Sequence, residues 1–178
     1  MKEIVDPQMN RVGIKILLLN NRPKSSDEQF YSDLVAAFNN LGSKTKIFDK
    51  ARATKLGKLD YLLIKSPPNI GEEHQALVDS IFALSGVIII ASQILDCKRA
   101  VDFCKRNKIA ILGLVELNAK EKLLLKDEDQ SLYTQRAKSI AKQCDIPFIG
   151  SVSSKEGVES VVRKILKSTA YSNKGVFS

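Results

Sequence analysis

The chain has no tryptophan and only one histidine, His74, in 178 residues. Aromatic residues make up just 6% of it, which leaves little for the stacking platforms that single-stranded nucleic acids require. His74 follows two acids at a helix start and reads as a surface residue. No Ser/His/Asp or Cys/His set assembles around it, so no catalytic residue is assigned and an enzyme is not the favoured reading. The three cysteines, Cys97, Cys104 and Cys144, are odd in number and have no C-x-x-C spacing. That argues against a disulfide framework and fits a reducing compartment, cytoplasmic or another intracellular one. Cys97 and Cys104 fall on one helix face with Val101 between them, a spacing that suits apolar filling better than metal ligation. Cys144, at a helix end, is the thiol with an exposed, reactive reading. No apolar run approaches the roughly 20 residues that span a bilayer. Met1–Arg11 mixes charge with Pro7 and lacks the apolar centre of a secretory signal.

The remaining composition is that of a globular domain. Hydrophobic residues make up 44% of the chain, enough for one domain with a real core. The net charge is +8, with 12 basic and 10 acidic residues in positions 1–89 against 16 and 10 in positions 90–178. An excess of this kind permits an acidic partner or nucleic acid. Because the acids are interspersed, a solvated basic surface is the simpler reading, and nucleic acid is not the expected partner.

Six short apolar runs read as strands: Ile14–Asn20, Thr45–Phe48, Tyr61–Ile64, Gly86–Ala91, Ala110–Val115 and Phe148–Val152. Most are continuous, the pattern of strands covered on both faces. Helical spacing lies between them, over Glu28–Asn40, Glu72–Leu84, Asp96–Asn107, Gln130–Cys144 and Val158–Lys167, with Gly42 as a stop for the first. Strands alternating with helices predict an α/β fold, a single domain with a mostly parallel, doubly wound sheet. The expected layout is an extension at 1–12, the domain at 13–167 and a flexible tail at 168–178. Ligands of such sheets bind at the carboxyl ends of the strands.

The most informative run is Lys58-Leu59-Asp60-Tyr61-Leu62-Leu63-Ile64-Lys65-Ser66-Pro67-Pro68-Asn69-Ile70-Gly71-Glu72-Glu73-His74, a buried strand that breaks at a Pro-Pro-x-x-Gly turn and enters an acidic helix start. It resembles the L-D-Y-L-I-I-D-x-P-P-G-T-G-D-E-H stretch of the Mrp/MinD group of deviant P-loop ATPases. Ser85–Gln93 is similar to that group's D-G-A-I-I-V-T-T-P-Q strand, and Asp96–Lys105 to its D-V-R-R-A-I-x-F helix. Ile111–Glu116 matches I-L-G-L-V-E-N, and Cys144–Val152 is similar to G-V-P-F-L-G-x-I-P. The last four motifs follow the Pro-Pro run in the family's order. The resemblance is nearest to the Mrp-type iron–sulfur cluster carriers, and it implies a P-loop NTPase-like fold, ATP with magnesium, and a 4Fe-4S cluster.

The positions that would carry this chemistry are altered. The phosphate loop of the family reads G-K-G-G-V-G-K-S/T. Here the aligned residues are Asn21-Arg22-Pro23-Lys24-Ser25-Ser26-Asp27-Glu28, with no glycine to let consecutive N–H groups turn toward phosphates and with a proline that removes one. Asp27 stands at the catalytic lysine and Glu28 at the magnesium-binding hydroxyl. Ser25 or Ser26 suits a helix cap, with the two acids complementing the dipole. The strand-end Asp becomes Lys65, which reads either as a fixed positive charge in place of magnesium or as a lysine whose amine reaches water. Asp49 matches the first acid of the family's D-A-D, and Ala51 replaces the second. The base-reading Asn aligns with Leu117, leaving Asn118 one place late. The cluster-binding C-P-x-C aligns with Ala119–Asp129, which has no cysteine. The vestigial nucleotide-binding positions are therefore Arg22, Lys24, Asp49, Lys65, Gly71 and Asn118; no metal ligand is assigned and no bound cofactor is expected.

The resemblance thus implies a degenerate homologue without hydrolysis, assisting iron–sulfur cluster assembly or transfer through protein contacts. Its implied partner is a competent ATPase paralogue or an iron–sulfur apoprotein, in a homo- or heterodimer and away from membranes. The alternative is a MinD/ParA-like adaptor without metal; an active ATPase is the remaining reading.

Overall fold

The computed structural model describes residues 13–21, 27–49, 57–81, 83–91, 94–117, 136–152 and 155–176. For residues 94, 155–156 and 171–176 only the backbone is described. Six strands, β1 (Ile14–Asn20), β2 (Thr45–Phe48), β3 (Tyr61–Lys65), β4 (Gly86–Ile90), β5 (Ile111–Leu117) and β6 (Phe148–Val152), form one sheet in the order β2-β3-β1-β4-β5-β6. Every adjacent pair is parallel. The helices are α1 (Asp27–Asn40), α2 (Glu72–Ser80), α3 (Ile94–Arg106), α4 (136–143) and α5 (Lys155–Val176). The α/β, mostly parallel, doubly wound single-domain expectation therefore holds.

The continuous apolar runs form strands because alternate side chains enter two different cores. From β1, Leu17 and Leu19 join Leu62, Ile64, Val87, Ile89 and Leu114 under α2, α3 and α4. Ile14, Ile16 and Leu18 point the other way, joining Tyr61, Leu63, Ile88, Ile90 and Val115 under Phe30, Leu34 and Phe38 of α1 and Val158, Val161, Val162 and Ile165 of α5. A period of two with both sets apolar is the signature of a strand buried on both sides. The chain leaves β1 through α1 toward β2 at one edge, then passes from β3 through α2 to β4 on the other side of β1. The carboxyl end of β1 is therefore the topological switch point, where open α/β sheets place their ligands.

Some helix limits differ from expectation. Helix α1 closes as expected at Gly42, whose φ is +91°, and the Ser43 N–H reaches back to the Phe38 carbonyl at 3.0 Å. Helix α2 ends at Ser80, short of Leu84, because Ile81 turns extended and buries its side chain and Ala83 takes a positive φ of 57°. Helix α5 passes Lys167 and continues to Val176. Thr169, beyond the expected end, is buried and its hydroxyl meets that of Tyr61 at 2.5 Å. That contact fixes the helix against β3.

Candidate functional site

At the carboxyl end of β1 the strand stops being apolar, and two asparagines organise what surrounds it. Asn20 is buried, and its side-chain NH2 donates to Asp27 Oδ2 at 3.0 Å and to the Tyr31 hydroxyl at 3.2 Å, holding the first turn of α1 against the strand. Its backbone N–H donates to Ser66 Oγ at 3.0 Å. Asn21, also buried, donates from Nδ2 to Asp96 Oδ1 of α3 at 2.9 Å. Its Oδ1 accepts the Ile70 N–H at 2.7 Å, and its carbonyl accepts the Asn69 N–H at 3.0 Å. The turn after Pro67-Pro68, with Asn69 in the left-handed region at φ +59°, is thereby clamped onto the end of β1. Two backbone donors beside the switch point are taken up by a neighbouring asparagine.

Lys65 ends β3 on the other side of β1. Its ammonium donates to Glu28 Oε1 at 2.6 Å and lies 3.4 Å from Asp49 Oδ2, with the Tyr31 ring centroid 5.0 Å away. The side chain is 19% exposed and the Glu28 side chain 60%. Burial works against the charge, but the hydrogen bond to Glu28 and the negative charges of Asp49 and Glu28 outweigh it, so the pKa stands above the usual lysine value. The reading of Lys65 as an amine merely reaching water is corrected: its stem lies in the site and its charge is held by two carboxylates and an aromatic face. Tyr31 has its own pKa raised, chiefly by burial, which keeps the phenol protonated.

Of the other predicted positions, only Gly71 is among the described residues. Gly71 is the residue before α2; it is exposed, and its carbonyl accepts the N–H groups of His74 and Gln75. A Cβ there would meet only an ordinary contact 3.8 Å from the Asn69 carbonyl oxygen, so no close approach demands glycine. Arg22, Lys24, Asn118, the caps Ser25 and Ser26, and the Ala119–Asp129 stretch lie outside the described residues. The structure therefore joins Asp49 to Lys65 and leaves Gly71 apart. Sequence reasoning missed Asn20, Asn21, Asp96 and the buried Glu116, whose Oε2 accepts from Ser151 Oγ at 3.1 Å at the ends of β5 and β6. For Asn20 and Asn21 the available signal was two consecutive amides after the apolar run Ile16–Leu19.

His74 is a correction. It is fully buried, edge-on to Phe103 with ring centroids 6.0 Å apart, and burial lowers its pKa. Neither ring nitrogen has a hydrogen-bond partner among the described residues. The core role of Cys97 and Cys104 holds, whereas Cys144, read as exposed, is buried with them. Burial pushes the Cys104 thiol up to about 12; it also raises that of Cys97, which is hydrogen-bonded to the Cys144 thiol. Such thiols stay protonated and are poor nucleophiles and ligands.

These donors can be tested against the groups the fold suggests. A magnesium ion needs oxygen ligands free to approach it at about 2.1 Å. Glu28 and Asp49 already neutralise an ammonium, so the strand-end set does not fit a divalent cation. Among the described residues no group of three or more His, Cys, Asp or Glu side chains forms a metal site. No described helix is long and apolar enough to cross a membrane.

The sheet order and covering helices are those of MinD-like P-loop ATPases. The structure aligns with the Archaeoglobus fulgidus nucleotide-binding protein solved with ADP, at a TM-score of 0.62 and 15% identity over 92% of each chain. It aligns with the Aquifex aeolicus MinD cell division protein at the same TM-score and 12% identity, over 86% of this chain and 97% of that one. At the level of sequence, a family profile described as the NUBPL iron-transfer P-loop NTPase, of the ParA group, matches residues 41–173. The chain belongs to that family. Its relatives include the cytosolic Fe–S cluster assembly factor NUBP2 homologue of Nematostella vectensis, 30% identical over 103 residues, or 54% of this chain and 38% of the relative. The corresponding NUBP1 homologue of Brugia malayi is 40% identical over 67 residues, or 34% of this chain and 22% of the relative. The factor CFD1 of Candida glabrata is 28% identical over 103 residues, 54% and 36% respectively. The chain thus matches well under half the length of each of these relatives.

Proposed function

We propose that this chain is a non-hydrolysing member of its family that assists iron–sulfur cluster assembly or transfer through protein contacts, alongside a competent ATPase paralogue or an iron–sulfur apoprotein. Family membership supports the iron–sulfur setting. The loss of hydrolysis rests on one observation, the Lys65 ammonium held between Glu28 and Asp49 where the family places a carboxylate. The absence of glycine from residues 21–28 points the same way.

A nucleotide test separates this reading from an active ATPase. A ligand at 100 times its dissociation constant adds about 2.7 kcal/mol to stability. Mg–ATP is expected to leave the melting temperature of this protein unchanged and to release no phosphate. A clear shift, or hydrolysis lost on Lys65→Ala, would refute the reading. The ion pair has its own test. Lys65→Asp replaces the cation with a third carboxylate, lowering the melting temperature in EDTA, and magnesium is expected to restore part of the loss. An unmoved parent and a responsive variant support the geometry; equal responses oppose it.

The cluster half is tested by anaerobic transfer from a family ATPase to an iron–sulfur apoprotein, followed by absorbance with and without this chain. Faster or more complete transfer is expected. No change would favour the metal-free adaptor reading, which the burial of all three thiols also suits.

A further inference from the structure

The outer face of α3 borders a groove of about 570 Å³ lined by Ile70, Arg99, Asp102, Lys105 and Arg106. Leu95, Arg99, Asp102 and Arg106 recur at steps of four, three and four, which puts them on one stripe of the helix. Leu95 opens that stripe and is 51% exposed, alone among the large hydrophobic side chains described. Arg99, Lys105, Arg106 and, on the flank, Lys98 are exposed, and their side chains make no ion pair or hydrogen bond among the described residues. Of the described residues that line it, only Ile70 also takes part in the strand-end site, through its backbone N–H.

We propose that this face docks an acidic, amphipathic segment of a partner protein. Charge complementarity selects the acids: the basic residues outnumber the single acid Asp102 and form no ion pair among the described residues, and arginine presents a planar fork that matches carboxylates. From Leu95 to Arg106 the stripe runs about 16 Å, too long for one phosphate or carboxylate to span and suited to a segment bearing several. Leu95 and Ile70 supply apolar seats at the edge, so the occupant carries aliphatic residues among its acids. A nucleic acid fits less well. Asp102 interrupts the row of cations that a continuous phosphate backbone would follow, and none of the described residues that line the groove offers an aromatic ring to stack a base. The same Asp102 repels a carboxylate at its own level, which fixes the register of the bound segment.

The test uses the full chain and a short fluorescent peptide carrying Glu and Leu at helical spacing, with anisotropy as the readout. Saturable binding that weakens with salt is expected. Arg99→Glu combined with Arg106→Glu should weaken it about tenfold or more. Leu95→Ser should weaken it as well, an effect that diffuse attraction to a basic protein does not give. Arg163→Glu, on α5, should leave it unchanged. All four side chains are exposed, so unaltered melting temperatures check that the variants remain folded. No binding, or binding indifferent to Arg99 and Arg106, overturns the proposal. So does tighter binding of an RNA oligonucleotide or an anionic phospholipid vesicle through the same residues. Self-association abolished by the Arg99/Arg106 reversal would make a second copy the occupant, and would overturn it too.

Discussion

His74 sits in the first turn of α2 beside two exposed acids, yet its ring is enclosed against Phe103. Two unpartnered ring nitrogens in an apolar setting each carry a desolvation cost. Because burial depresses the pKa, the folded state resists a proton that the unfolded chain accepts near pH 6.5. Below that pH the unfolded state binds more protons, so stability is full above it and falls as the pH drops toward the folded value. His74→Leu is expected to raise stability at pH 7 by about 1–2 kcal/mol and to flatten the decline between neutral and mildly acidic pH, as read by urea denaturation at several pH values. An unchanged acid limb would show that other groups set it. Sequence reasoning missed this burial because flanking charge, the usual mark of a surface, describes the neighbours of a helical residue and not the face it occupies. Lys65 shows the converse. Its departure from the family pattern was legible, but its partners Glu28 and Asp49 lie 37 and 16 positions away, and only the folded chain brings them together.

At the level of elements, the strands were legible because the inner ones are short apolar runs buried on both faces, and several of their limits coincide with expectation. Helix ends were less so, since they depend on partners distant in sequence: α2 stops where Ile81 finds a core position, and α5 continues because Thr169 meets Tyr61. The seam between β5 and β6 hinges on Gly113, at φ +154°. A Cβ there would lie 2.5 Å from Ile149 Cγ1 and 2.8 Å from the Pro147 carbonyl oxygen. Backbone on one side and a packed side chain on the other leave little room to yield. Gly113→Ala is therefore expected to cost about 2–4 kcal/mol, measured as a lower denaturation midpoint with an unchanged slope. A loss under about 0.5 kcal/mol, the scale of ordinary surface changes, would mean that the seam relaxes.

For the whole molecule, the fold was readable from the alternation of strand and helix, whereas the site was not, because the amides of Asn20 and Asn21 act through contacts no local pattern records. The two apolar layers share the four inner strands β1, β3, β4 and β5, while β2 only borders them through Ile47 and Phe48 and β6 enters one layer with Ile149 and Val152 and borders the other with Phe148, so neither layer can open without stripping one face of the other's support. A single cooperative transition is expected, with far-UV ellipticity and tyrosine fluorescence coincident in urea. Separate transitions would show that the layers unfold independently. The Lys65 ammonium has a consequence at this scale. Being tethered to its own strand, it can be neither chelated nor exchanged, so a positive charge stands between Glu28 and Asp49 whenever the chain is folded. Under the non-hydrolysing role proposed above, the timing of this protein's comings and goings is lent by its companions or by how much of it the cell makes.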